Sequence, residues 1–268
     1  MARKHLGIGL PVAPDPAGWP APAYHLLAPV HSLGVLSSFG CPFRCDYCAS
    51  SLLSPSFIER NAEEVACEIA RLVSITGASD VAFFDDAFLV HSDTRAKSLL
   101  RLLARRLPRL RLHFPNGLHA RFIDQEIADL LCAANACTIR LALEGIGSRL
   151  RDRKVSRGDL ASALERLERA GFDRSRVSVY LLVGIAGIPE SEVLDSCDFV
   201  HSLGARIGLC EYSPIPGTLL ADTLPRRSEL AAEPLLANNK ALAVWDVEDP
   251  FAALSRIKSC VRLLNRAL

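Results

Sequence analysis

The chain has 268 residues, half of them hydrophobic, which is enough for one large domain or two small ones around a buried core. Its 31 basic and 30 acidic residues leave a net charge of +1, so no global field selects nucleic acid or an anionic membrane, and a small or local partner is expected. Nine cysteines, an odd number with no secretory signal at the start, argue for a reducing, cytoplasmic setting rather than a disulfide scaffold. The longest apolar run, at 180–188, is far short of the ~18 residues that suggest a membrane span.

Residues 11–29 carry six prolines, which predicts an extended arm over 1–29 before the folded core. The run 33–38 then reads as a buried strand. A helix follows over 61–76, where Val65, Ile69, Leu72 and Val73 recur at helical spacing. Asn61, with Glu64 three residues on, supplies its start, and Gly77 its stop. The alternation continues with strands at 80–86, 109–114, 138–144, 176–184 and 206–212. Helices are expected at 94–107, 123–134, 157–171 and 189–203, and a helical extension at 221–268.

Strictly alternating strands and helices imply parallel strands joined by right-handed crossovers and covered on both faces. All six expected strand ends carry polar or glycine-rich residues. They are the cysteine segment 40–50, then Asp85 with Asp86, Asn116 with His119, Glu144, the 184–190 segment, and Glu211 with Tyr212. An open sheet gathers its ligand at one switch point, whereas every strand end of a barrel faces one mouth. The expected fold is therefore an α/β partial (β/α)6 TIM-like barrel over 30–220, with its site at the C-terminal rim.

The segment GCPFRCDYCAS places Cys41, Cys45 and Cys48 in the loop after the first strand. Three thiolates so spaced can hold three irons of a cubane cluster and leave the fourth iron open. A structural zinc site needs four ligands, and no nearby Cys or His completes the set. Burial of all three thiols as small hydrophobes is opposed by Arg44, Asp46 and the loop context. The iron–sulfur reading is preferred. Cys67, Cys132, Cys137, Cys197, Cys210 and Cys260 read as packing residues, so no auxiliary cluster is expected.

The Cys-x3-Cys-x2-Cys loop in this setting resembles the radical S-adenosylmethionine (radical SAM) superfamily, over residues 30 to about 220. The resemblance is nearest to the branch whose members often carry an N-terminal cobalamin-binding domain. The forty residues before Cys41 are too few for one, so cobalamin is expected either to come from another chain or not to be used. The resemblance implies a [4Fe–4S] cluster on Cys41, Cys45 and Cys48. Its open iron would bind S-adenosylmethionine, and reductive cleavage would give a 5′-deoxyadenosyl radical that abstracts hydrogen from substrate.

Phe43, Tyr47, Asp85, Asp86, Asn116, Glu144, Lys154, Gly184 and Gly187 would then surround the cofactor. Tyr47 would lie against the adenine, one of the two aspartates would meet the methionyl ammonium, and Lys154 or Arg157 would meet the methionyl carboxylate. Arg140 is read as an ion-pair partner for Glu144. The catalytic residue is not identified by the resemblance; His119, Glu211 and Tyr212 are its candidates. The implied partners are a small-molecule substrate and an electron donor such as flavodoxin or ferredoxin. An RNA- or peptide-modifying enzyme, an electron carrier with the same cluster and a zinc module are the competing readings. The arginines at 101, 105, 106, 109 and 111 read as a solvated amphipathic face rather than an RNA surface.

Overall fold

A break in the first expected strand sets up everything that follows. In the computed structural model, which describes residues 22–27, 29–54, 56–143, 155–224, 227–240 and 244–268, strand β1 covers Ser32–Val35 and stops. The Ser37 amide turns to the Asp85 carboxylate, at 3.0 Å to one oxygen, instead of continuing the ladder. The chain resumes as β2, Ser38–Phe39, which pairs antiparallel with β3, Ile58–Glu59. The chain divides into two compact units. The first comprises the residues up to Arg44, Ala49–Asn116 and Ala133–Cys137, and the second Cys45–Cys48, Gly117–Cys132 and the chain from Thr138 on.

The first unit holds helix α1 (Ala62–Thr76), β4 (Asp80–Phe83), α2 (Ala96–Arg106) and β5 (Arg111–His113). β1, β4 and β5 are parallel neighbours in a sheet ordered β1-β4-β5-β6, where β6 is Ala136–Thr138. Asn61 starts α1 as expected, its side chain accepting from the amides of Glu63 and Glu64, and Gly77 ends it at φ 71°. α1 buries Val65, Ile69 and Leu72, and α2, packed against it, buries Leu99, Leu100 and Leu103. Phe83, Phe88 and Phe114 form a cluster with centroids 4.9–5.6 Å apart. β1 lies at the sheet edge, where the Tyr24 hydroxyl accepts from the Gly34 amide at 2.8 Å and donates to the Gly34 carbonyl at 3.1 Å. One side chain thus occupies the groups that a further strand would pair.

The second unit holds α3 (Gln125–Ala133 in sequence, ending across the unit boundary), β7 (Arg140–Ala142), α4 (Arg157–Arg169), β8 (Ser178–Val183), α5 (Glu190–Ser202), β9 (Arg206–Glu211) and α6 (Pro250–Arg266). The expected strand 138–144 is therefore two strands, β6 and β7, assigned to separate sheets. β7, β8 and β9 are parallel, in the order β7-β8-β9. Along β8, Val179, Leu181 and Val183 are buried and alternate with half-buried Ser178, Tyr180 and Leu182. Gly208 on β9 faces Tyr180, and a Cβ there would come within 3.0 Å of its ring. Ser156 and Asp159 form a reciprocal capping box at the start of α4. α6 packs on α5 and β9, burying Ala253, Ile257 and Val261. Its Asn265 amide group accepts from the Ile207 amide at 2.8 Å and donates to the Ile207 carbonyl at 2.9 Å, capping the edge strand β9 as Tyr24 caps β1.

Among the described residues, no helix is long and apolar enough to cross a membrane. Removing an edge cap should destabilise without unfolding. Tyr24→Phe and Asn265→Ala are each expected to cost about 1–3 kcal/mol, because each leaves backbone groups without their side-chain partner. Thermal melts should drop by several degrees, as about 2–4 °C accompanies each kcal/mol in chains of this size.

Candidate functional site

The cysteine segment leaves the first unit through a narrow neck. Its two sides are β2 and β3, in the register Ser38↔Glu59 and Phe39↔Ile58. Gly40 follows at φ 74°, and a Cβ there would lie 2.5 Å from the Ser56 carbonyl oxygen, so only glycine fits. The return side is tied down by Arg60, whose amide donates to the Ser37 carbonyl at 3.0 Å and whose guanidinium donates to the Leu36 carbonyl at 2.9 Å. Cys41 is half-buried in the first unit. In the second, Cys45 is buried, Cys48 is half-buried, and the Cys48 amide donates to the Cys45 carbonyl at 3.0 Å. The Asp46 carbonyl of this turn accepts from the Leu220 amide at 2.8 Å. Phe43 and Tyr47 are half-buried. None of the three forms a disulfide, and they lie on a segment without regular secondary structure up to Ala49. Thiol donors of this kind suit a soft, thiolate-ligated metal group.

The two adjacent aspartates have opposite fates. β4 ends at Phe83, so Asp85 and Asp86 lie in the turn beyond it rather than on the strand. Asp85 is 2% exposed. It accepts from the hydroxyls of Ser37 and Ser38, both at 2.6 Å, from the Ser37 amide, and from Arg95 at 3.5 Å. Its oxygens are taken up inside the first unit, so of the two aspartates it is the one held within the fold. Asp86 is exposed. Asn116, after β5, is also exposed and donates from Nδ2 to the Phe84 carbonyl at 2.8 Å.

In the second unit, Gly184 and Gly187 adopt φ 90° and 75°, the left-handed backbone for which glycine is the natural choice. The Gly187 amide donates to Asp246 at 2.6 Å, and the buried indole of Trp245 donates to the Ile188 carbonyl at 2.9 Å. Sequence reasoning missed both partners, because nothing local connects 245–246 to the glycine segment. His119 is half-buried with its ring 4.8 Å from Phe122. Glu211 pairs with Lys258 at 2.7 Å and Lys240 at 3.2 Å. Burial opposes its ionisation, but the two ammonium groups outweigh it and hold the carboxyl below its usual range. Glu211 thereby joins β9 to the C-terminal region rather than standing open as a base. Tyr212 is 3% exposed, and burial pushes its phenol up to about 12.

Glu144 and Lys154 lie outside the described residues. Arg140, expected to pair with Glu144, donates to the Tyr180 hydroxyl at 2.6 Å and lies over its ring. Arg157 is drawn away to Asp195 at 2.5 Å and to the Phe199 ring. Arg106 and Arg111 pair with Glu63 and Asp80, in keeping with a solvated face.

A family model described as the Radical SAM superfamily matches residues 35–200. No curated protein matches the chain. Among solved structures, the radical SAM methyltransferase TsrM from Kitasatospora setae, with cobalamin and a [4Fe–4S] cluster bound, is 23% identical with a TM-score of 0.63. The match covers 70% of this chain and 38% of TsrM. Coproporphyrinogen III oxidase (HemN) from Escherichia coli is 13% identical with a TM-score of 0.59, over 88% of this chain and 52% of HemN. Methylornithine synthase (PylB) is 14% identical with a TM-score of 0.53, over 87% of this chain and 68% of PylB. The chain thus spans well under two thirds of TsrM and HemN. At these identities the likeness is one of fold, the partial TIM barrel.

The lowered Glu211 carboxyl has a pH signature. Its ion pairs contribute fully above the ordinary carboxylate value of 4.5 and are lost as pH falls through the depressed folded value. The melting-temperature difference between the native chain and Glu211→Gln should therefore hold steady at neutral pH and shrink below pH 4.5. A difference that persists unchanged into acid would rule out this role.

Proposed function

Given that the chain belongs to the radical SAM superfamily, an enzyme family that uses a [4Fe–4S] cluster and S-adenosylmethionine, we propose that Cys41, Cys45 and Cys48 are its cluster ligands and that it acts on a small molecule. The observation that carries this reading is the donor set: three cysteines outside any disulfide on one irregular segment, entered through Gly40. When bound, the cluster and S-adenosylmethionine supply one-electron cleavage of the sulfonium and a carbon radical for hydrogen abstraction.

The chain's own residues divide the remaining work. Phe43 and Tyr47 give the cysteine segment apolar surface for the cofactor. Asp86 and Asn116 are the exposed polar side chains after β4 and β5, and Asp86 takes the ammonium-binding role for which Asp85 is unsuited. The left-handed turns at Gly184 and Gly187 present bare backbone to a flat ring. Glu144 and Lys154 are assigned to the cofactor, and His119 to the substrate. A small substrate is supported by the balanced charge, which offers no polymer-binding field, and by the similarity in fold to TsrM, solved with tryptophan. A reductant of the flavodoxin or ferredoxin class would supply the electron.

Anaerobically reconstituted protein should carry about four irons and four sulfides per chain and form 5′-deoxyadenosine on reduction with S-adenosylmethionine. Alanine at Cys41, Cys45 or Cys48 should abolish both, and alanine at Cys67 neither. Zinc at one per chain, with no iron, would overturn the assignment. Asp86→Asn should keep its iron yet bind S-adenosylmethionine roughly ten- to hundredfold more weakly, since a charge-assisted hydrogen bond is worth about 1.5–3 kcal/mol.

A further inference from the structure

The neck of the cysteine segment is a ladder of two residue pairs, Ser38↔Glu59 and Phe39↔Ile58. So short a ribbon is marginal by itself in water. Its stiffness has to come from outside; beyond Arg60, which crosses from the return side to the Leu36 carbonyl, one further side chain reaches both of its sides. Arg95, at the entrance to α2, donates from Nε to Glu59 on the return strand at 3.0 Å. From its first terminal nitrogen it donates to the Ser37 hydroxyl, and to Asp85 at 3.5 Å. Asp85 in turn accepts from Ser37 and Ser38 on the outgoing side. The second terminal nitrogen donates to the carbonyls of Ala87 at 3.4 Å, Phe88 at 2.8 Å and Val90 at 3.2 Å. The Arg95 side chain is 3% exposed and Asp85's is fully enclosed. Glu59 also meets His91 at 2.8 Å, so its two oxygens have different partners.

We propose that Arg95 is a positioning residue for the cluster ligand Cys41. It holds the two sides of the neck at a fixed separation, and so fixes where the chain delivers Gly40 and Cys41. This rests on the reading of Cys41, Cys45 and Cys48 as ligands. The geometry requires arginine rather than a generic cation. A planar fork donates in three directions at once, whereas a lysine ammonium of similar reach concentrates its charge at one point. Lysine can sit beside Asp85, but it cannot also span to Glu59 and the turn carbonyls. The structure thus separates neutralising Asp85, which the fold needs, from bracing the neck, which the ligand loop needs.

The test uses the full chain, reconstituted anaerobically, as wild type, Arg95→Lys, Glu59→Gln and Cys41→Ala. Glu168→Gln, which cuts an exposed ion pair to Arg174 in the second unit, serves as control. Circular dichroism reports folding, iron release to a chelator reports how firmly the cluster is held, and electron paramagnetic resonance of the reduced cluster reports its ligand geometry. Arg95→Lys and Glu59→Gln are expected to keep native helicity, to release iron about ten- to hundredfold faster than wild type, and to show a shifted resonance. Glu168→Gln should match wild type in all three. If Arg95→Lys does not fold, Glu59→Gln decides, because it loosens one side of the neck and leaves the Arg95–Asp85 contact in place. Wild-type iron release and resonance in folded Glu59→Gln would overturn the proposal while leaving the ligand assignment intact. A full cluster in Cys41→Ala would overturn both.

Discussion

A buried guanidinium facing a buried carboxylate is the constraint around which the first unit is arranged. Taking Arg95 and Asp85 out of water carries a desolvation penalty of several kcal/mol per ion, which their attraction offsets only if the remaining donors and acceptors are also satisfied. The chain meets that demand with its backbone. The carbonyls of Ala87, Phe88 and Val90 turn inward to Arg95, and the Ser37 amide turns to Asp85. Both are departures from regular structure. The first makes the irregular turn between β4 and α2, and the second stops β1 at Val35 and sets off the neck that carries the cysteine segment. The ends of two strands are therefore shaped by one ion pair.

The free sheet edges show a second economy. β1 and β9 are each the end strand of their sheet. An edge strand offers unpaired backbone groups to any other chain. Tyr24 and Asn265 each occupy one donor and one acceptor of the exposed edge. In the second unit, the C-terminal region contributes further: Trp245 and Asp246 hold the Gly184–Ile188 segment, and Lys240 and Lys258 hold Glu211. What reads in sequence as an appended helical extension is thus built into the unit that carries the glycine turns.

Much of the fold was legible because its signals are local. The periodicity of Val65, Ile69 and Leu72, the cap at Asn61 and the stop at Gly77 all act within a turn or two of chain, and all appear in α1 as read. The alternation of strands with helices likewise survives, with boundaries shifted by a few residues. The breaks after Val35 and between β6 and β7 were not legible. Leu36 carries the first run past Val35 and Ile139 lies between β6 and β7, and what interrupts the first is a carboxylate 48 residues away. Arg95 went unremarked for the same reason, since in sequence it resembles the other arginines of an amphipathic helix. The only hint was the unpaired acidity of the run FFDDAFLV, which needs a counter-charge if either aspartate is to be buried.

By itself, then, the sequence determined the strand–helix order, the spacing of Cys41, Cys45 and Cys48, and the glycine positions at 40, 184 and 187, because each is written in residues close together along the chain. Only the tertiary structure decided which of two identical neighbours is buried, placing Asp85 on Arg95 and leaving Asp86 to solvent. It also decided that Glu211 is held by two lysines and that Tyr212 is closed off from water. These outcomes turn on which distant segments meet. A side chain's ionisation and availability follow from the charges and burial around it, and no local pattern encodes partners supplied by chain tens of residues away.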